Sequence, residues 1–165
     1  RHHGGLVLDA SIAENLALDA LPKVCVTPLA FVANQHLHAD AARLGEALHL
    51  KSASLDAPVK SLSGGNQQKV VLAKWLLCEP SVFIMDEPTR GIDVGAKYEI
   101  YAIVDRLAAG NAGIVFISSE LDELFAVCDR ILVMSRGEIV GDFARAAFDR
   151  ERVLAAAFRE QGAAA

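Results

Sequence analysis

The run "SVFIMDEPTRGID", residues 81–93, restricts the fold more than any other stretch of this chain. Val82 to Met85 is a short apolar run that ends in Asp86-Glu87, the pattern of a buried parallel strand with carboxylates at its C-terminal end. A parallel neighbour needs a crossover connection, and the next residues provide one. Ala96 to Ala109 is amphipathic, with Ile100, Ile103, Val104 and Leu107 on one stripe, and Ile114 to Ile117 is a second buried strand. Ser118-Ser119 then precede a helix with Asp122 and Glu123 in its first turn and Leu121, Leu124, Phe125 and Cys128 on its core face. Ile131 to Met134 and Glu138 to Val140 flank Arg136-Gly137 as a hairpin, and an Ala-rich helix closes the chain. The expected order is β-α-β-α-β-β-α, an α/β fold with a parallel sheet and flanking helices.

The front third has a different texture. Ser11-x-x-Glu14 is a capping box that starts a helix through about Leu18, and Pro22 and Pro28 break the stretch after it. A second helix is expected from about Leu29 to Leu50, with Leu37, Ala41, Leu44 and Leu48 sharing a face. After the loop "KSASLDAPVKSLSGG", Gln67 to Leu77 is helical and apolar nearly all round, so a buried helix is expected there. The chain is thus expected to divide into a helical subdomain over 1–77 and an α/β subdomain over 78–165.

Composition narrows the function. With 53% apolar and 22% charged residues the chain is globular in character. Its net charge of −5 and unclustered Lys and Arg argue against a nucleic-acid partner. No apolar run approaches a membrane span, and "RHHGG" lacks the pattern of a signal peptide. Cys25, Cys78 and Cys128 lack metal-ligand spacing and are expected reduced and buried, as in a cytosolic protein. The five histidines form no metal set either.

Two motifs carry chemistry. In "LSGGNQQK" a glycine pair precedes a helix, so backbone N–H groups, the helix dipole and the Ser63 hydroxyl can hold an anion; the same pattern also caps an ordinary core helix. In "MDEPTRGID" two adjacent acids end a buried strand, where one carboxylate can serve Mg²⁺ through water and the other can orient or deprotonate an attacking water. The Pro-Thr-Arg-Gly after them turns the chain out of the strand, so neither acid caps a helix at Asp86.

Together, "LSGGNQQK" resembles the signature motif of ATP-binding-cassette (ABC) ATPases, and "VFIMDEPTRGIDVGAK" resembles their Walker B strand and D-loop. The finer pattern, with "GLVLDASIAENLAL" and "SSELDEL", is similar to the second cassette of monosaccharide importers of the ribose/galactose/xylose type. The resemblance implies a P-loop NTPase fold with a helical subdomain. It implies that Ser63, Gly64 and Gly65, supported by Gln67, contact the γ-phosphate of ATP bound on a partner cassette. Asp86 would be the Mg²⁺-linked acid, Glu87 the general base or water-orienting acid, and Asp93 a D-loop residue coupling two sites. Implied partners are a second cassette, membrane permease subunits and, indirectly, a periplasmic or extracellular sugar-binding protein, with the subunit peripheral at the cytoplasmic face of the plasma (inner) membrane. A degenerate regulatory cassette and a soluble ABC-type ATPase not tied to transport are the alternatives.

Two departures from the family pattern matter. The P-loop sequence G-x4-G-K-[ST] occurs nowhere in the 165 residues, and "GIDVGAKY", one residue short and carrying Tyr, is instead a helix start. A cassette truncated at its N-terminal side is expected, with an apolar edge and face of its sheet uncovered. Ser119 also stands where these ATPases carry a switch histidine; its hydroxyl either meets a phosphate or caps the next helix, and in both cases the site of Asp86 and Glu87 is expected to hydrolyse weakly or not at all.

Overall fold

The computed structural model describes residues 5–24 and 34–158, the side chains of 19–24, 34–38 and 40 excepted. His2, His3, Cys25, Pro28 and the expected helix start at Leu29 lie outside the described residues. The chain forms two compact units, Arg1–Phe83 with Pro88–Val115, and Ile84–Glu87 with Phe116–Ala165.

In the first unit, α1 (Ile12–Val24) begins at a complete capping box. The Ser11 N–H donates to Glu14 Oε2 at 2.7 Å, and the Glu14 N–H donates back to Ser11 Oγ at 3.1 Å. The helix runs past Leu18 and includes Pro22, where the sequence predicts a break. Pro22 lies so near the end that one missing ladder donor leaves little helix to disrupt. Asn15 is fully buried on α1 and fastens the preceding turn: its Oδ1 accepts from the Val7 N–H at 2.7 Å, and its Nδ2 donates to the carbonyls of Val7 and Ser11 at 2.9 Å each. Next comes α2 (Asn34–Ala47), whose Ala41 and Leu44, with Leu48 just beyond, are buried as their spacing predicts.

The loop after α2 is tied to the residues before α1. Val59 and Lys60 N–H groups donate to the carbonyls of Ala10 and Leu8 at 3.0 and 2.9 Å. That pairing delivers the chain into α3 (Gly64–Leu77), which starts three residues ahead of the sequence expectation because Ser63 caps it. The helix is not apolar all round in space, since Trp75 is half exposed while Lys69 and Lys74 are buried. Each buried lysine has a partner, as burial of an ammonium group demands. Lys74 Nζ donates to the Gly5 carbonyl at 2.6 Å. Lys69 Nζ donates to the His49 carbonyl at 3.0 Å and forms an ion pair with Glu99 at 2.6 Å.

Glu99 sits on α4 (Val94–Ala109), whose Ile100, Ile103 and Val104 stripe is buried as expected. This helix connects β1 (Val82–Asp86) to β2 (Gly113–Ile117), and the two strands pair in one sheet. Bonds near both ends, Gly113 N–H to the Ser81 carbonyl and Glu87 N–H to the Ile117 carbonyl, each 2.9 Å, run in the sense of a parallel pair. The strands are not buried on both faces as the sequence predicts. Phe83 and Met85 are covered, whereas Val82, Ile84, Val115 and Ile117 are exposed, Ile84 by 73%. Among the described residues the sheet has two strands and no element over that face, so its side chains remain open.

In the second unit, α5 (Leu121–Val127) leads to β3 (Arg130–Ser135) and β4 (Glu138–Ala144), an antiparallel hairpin followed by α6 (Arg150–Ala157). Arg136 and Gly137 both have positive φ, +51° and +87°, as the two-residue turn between right-twisted strands requires. Ile131, Val133, Phe143 and Val153 form the core, and Leu121, Leu124, Phe125 and Cys128 pack on it. Cys78 and Cys128 are half-buried, less enclosed than the sequence suggests, and burial pushes the Cys128 thiol up.

The Lys69 hydrogen bond, the larger cause, and its charge hold the Glu99 carboxyl below its ordinary value of 4.5. A carboxyl that resists protonation in the folded state stabilises the fold in full above its ordinary value and loses the contribution as the pH falls below that value and through the lowered folded one. Glu99→Gln is therefore expected to lower unfolding stability by about 1–2 kcal/mol at neutral pH, between an exposed and a buried pair. The difference from the parent should shrink below pH 4.5, as read by urea unfolding at a series of pH values.

Candidate functional site

The motif residues gather on two surfaces, one in each unit. In the first unit, Ser63 is extended (φ −63°, ψ 157°) and its Oγ accepts from the Asn66 side-chain amide at 3.0 Å and, at 3.5 Å, from the Asn66 backbone N–H. Ser63 and Gly64 are both exposed. The backbone N–H groups of Gly64 and Gly65 have no carbonyl acceptor among the described residues, the usual condition of a helix N-terminus and the one that draws an anion.

The two glycines differ in what they do. A Cβ on Gly64 would meet nothing nearer than 3.8 Å, so that backbone is open to approach from outside. A Cβ on Gly65 would stand 2.6 Å from the Ala96 Cβ, so Gly65 lets the start of α3 rest against the start of α4. Asp93 caps α4, its Oδ1 accepting from the Ala96 N–H at 2.9 Å, and "GIDVGAKY" is thus the helix start that its sequence predicts. Ser63 and Asp93 consequently belong to adjoining helix N-termini of one unit. Gln67 does not face outward. Its Nε2 donates to the carbonyls of Leu62 and Val59 at 3.1 and 3.4 Å, which holds the loop that presents Ser63.

In the second unit, β1 ends with Asp86 exposed and Glu87 half-buried. Glu87 has φ +48°, a left-handed conformation that costs a non-glycine residue about 1–2 kcal/mol. Two hydrogen bonds to one segment hold it there: its N–H donates to the Ile117 carbonyl, and its Oε1 accepts from the Ser119 backbone N–H, both at 2.9 Å. The carboxylate is fixed while Asp86, one residue earlier, has no ion-pair or hydrogen-bond partner for its carboxylate among the described residues.

Ser119 therefore meets Glu87 through its backbone. It does not cap α5 either, because the cap position is Glu120 and the hydroxyl that organises the turn is that of Ser118. Ser118 Oγ donates to Glu123 Oε2 at 2.8 Å and accepts from the Glu120 N–H at 3.0 Å. Sequence reasoning placed Ser118 ahead of α5 without giving it a task, and passed over Lys69 and Asn15. A serine followed after five residues by an acid in a helix's first turn was the available signal for Ser118; for a buried lysine there was none.

Among the described residues no group of three or more His, Cys, Asp or Glu side chains could enclose a metal ion. The lone, exposed Asp86 carboxylate instead fits Mg²⁺, which keeps most of its waters and takes one or two carboxylates beside phosphate oxygens.

Comparison with known proteins gives the family of the chain. A sequence profile of the ABC transporter family matches residues 3–90, and the chain belongs to that family. It is 50% identical, over 93% of its length, to the xylose import ATP-binding protein XylG of Geobacillus kaustophilus (strain HTA426), and covers 30% of that protein. It is 47% identical to the ribose import ATP-binding protein RbsA 3 of Rhizobium meliloti (strain 1021), again over 93% of this chain and 30% of the relative. The chain thus spans about a third of the length of these curated relatives. Among solved structures, the dimeric post-hydrolysis ATP-binding cassette MJ0796 bound to ADP and Pi matches with a TM-score of 0.72 at 19% identity, over 87% of this chain and 60% of that one. The fold is that of an ABC cassette, an α/β P-loop NTPase fold.

Gly65→Ala is expected to destabilise the folded protein by about 1–3 kcal/mol through overpacking against Ala96. Adding Ala96→Gly should restore much of the loss, measured as a double-mutant cycle in denaturant unfolding.

Proposed function

We propose that this chain is part of the ATP-binding subunit of a carbohydrate importer, and that its Ser63–Gly64 loop completes a nucleotide site whose phosphate cradle belongs to another cassette. The observation that carries the reading is the exposed Gly64 backbone N–H, which like that of the buried Gly65 behind it has no carbonyl acceptor among the described residues, at the start of a capped 14-residue helix. The 165 residues supply no P-loop to hold a phosphate beside them. Such a loop acts by aiming N–H groups and a hydroxyl at charge on a phosphoryl group, where fixed dipoles need no reorganisation during reaction. The names of the xylose and ribose relatives support sugar import as the transport task.

ATP with Mg²⁺ would supply the phosphoryl group and its counter-charge. Asp86 would then hold the ion through water, and Glu87 would orient or deprotonate the attacking water, its carboxylate already aimed by the Ser119 N–H. Asp93, beside the Ser63 loop, would couple the two nucleotide sites of a cassette pair. Ser119 offers no imidazole, so the site of Asp86 and Glu87 would turn over slowly, and this chain would matter most through the loop it lends. The remaining partners would be permease subunits, with a sugar-binding protein acting through them, at the cytoplasmic face of the plasma (inner) membrane. Residues 1–77 would form the helical subdomain and 78–165 the α/β one. Among the described residues no helix is long and apolar enough to cross a membrane.

In the full-length subunit assembled with its permease, Gly64→Asp places a carboxylate where a phosphate would lie. Sugar-stimulated ATP hydrolysis is expected to fall about 10²–10³-fold, the scale of losing an oxyanion donor, with near-parental turnover sinking the assignment. Glu87→Gln should cost far less than the same change in the other cassette. Equal losses in the two single variants would show that the site with Ser119 is fully competent.

A further inference from the structure

One buried carboxylate has no task in nucleotide binding or hydrolysis. Glu123 is 3% exposed, in the first turn of α5, and accepts the Ser118 hydroxyl at 2.8 Å. Burying a carboxylate is costly unless hydrogen bonds compensate it, so a placement of this kind fixes whatever it bonds. The part it fixes is the turn between β2 and α5. The Ser118 Oγ spends its proton on Glu123 and accepts from the Glu120 N–H at 3.0 Å, closing a ring over residues 118–123. Inside that ring lies the Ser119 N–H, aimed at Glu87 Oε1 at 2.9 Å. Ser119 has no freedom to turn its amide away while both its neighbours are held.

We propose that Ser118 and Glu123 are positioning residues for Glu87, acting through the Ser119 backbone amide. The inference rests on the proposed hydrolytic role of Glu87 for its functional consequence, but its structural content stands apart from that role. Glu87 is left-handed at φ +48° and has two attachments to segment 117–119, the Ile117 carbonyl and the Ser119 amide. The first fixes its backbone and the second its carboxylate. A strained residue persists only where its surroundings over-determine it, and the ring supplies the second of these constraints. The arrangement also explains how this chain directs Glu87 although Ser119 stands in place of a histidine: the amide of the same residue contacts the carboxylate, and its aim depends on Ser118.

The test uses the full-length subunit with two readouts, amide hydrogen exchange across residues 117–123 and ATP hydrolysis at saturating and limiting ATP. Ser118→Ala should speed exchange of the Ser119 amide at least tenfold. Glu87→Gln, which keeps an acceptor oxygen, should speed it less than Glu87→Ala. Ser118→Thr, which keeps the hydroxyl, should leave exchange at the parental rate. Where this cassette hydrolyses ATP, Ser118→Ala should lower kcat about tenfold with KM for ATP unchanged, and the threonine variant should restore it. Parental exchange at Ser119 in Ser118→Ala, or equal loss in the alanine and threonine variants, would overturn the proposal. Faster exchange in Ser118→Ala and Glu87→Ala, with no hydrolysis at this cassette even in the parent, would uphold the positioning and remove only the hydrolytic role of Glu87.

Discussion

The Ser63 loop can present its amides only because α3 starts against α4 at a distance that a side chain on residue 65 would forbid. With 2.6 Å between the would-be Cβ of Gly65 and the Ala96 Cβ, the two helix N-termini share one small volume. Each end is capped by its own side chain, Ser63 on one and Asp93 on the other. One turn further along, Lys69 and Glu99 make a second tie between the same helices. Two ties at different heights resist sliding and rotation in a way that one cannot. The segment carrying Ser63 and the segment carrying Asp93 are thereby one body within the first unit, which is what the phosphate contact proposed for the Ser63 loop would need from its scaffold.

The second unit solves a different problem with similar means. A carboxylate that is to act on water has to be held without being neutralised. Glu87 accepts one backbone N–H and keeps its remaining lone pairs, while Asp86 beside it has no protein partner among the described residues. The left-handed backbone at Glu87 turns the chain out of β1 into Pro88 and the buried Thr89, so adjacent acids diverge in their surroundings instead of sharing one. The tasks proposed for them, a hydrated cation at Asp86 and a water at Glu87, would fit that divergence.

Much of this was legible in the residues. The capping box at Ser11, the buried stripe on α4, the hairpin at Arg136-Gly137 and the helix start at Asp93 all arise from local rules that hold wherever the pattern recurs. The misses share a different cause. Lys69 and Lys74 are polar letters in an apolar helix, and only the positions of the His49 carbonyl, Glu99 and the Gly5 carbonyl, 20, 30 and 69 residues away in sequence, turn them into buried ties. Pro22 stays helical because of where the helix ends, which no proline rule states. The apolar runs at 82–85 and 114–117 predict burial on both faces, but burial depends on what lies over the sheet. At the candidate site the residue types were readable while their atoms were not. Ser119 meets Glu87 through its backbone N–H and not its hydroxyl, and Gln67 spends its amide on the loop instead of presenting it.

Whether the Ser63–Gly64 loop faces nucleotide held by a different cassette can be read directly from a disulfide. In the full-length subunit, Ser63→Cys is paired with a single cysteine introduced into the P-loop of the opposing cassette. Oxidative cross-linking should appear with ATP and be absent without nucleotide. Failure to cross-link with ATP bound, or a cross-link formed instead to a cysteine placed in the P-loop preceding Ser63 in its own cassette, would contradict that placement.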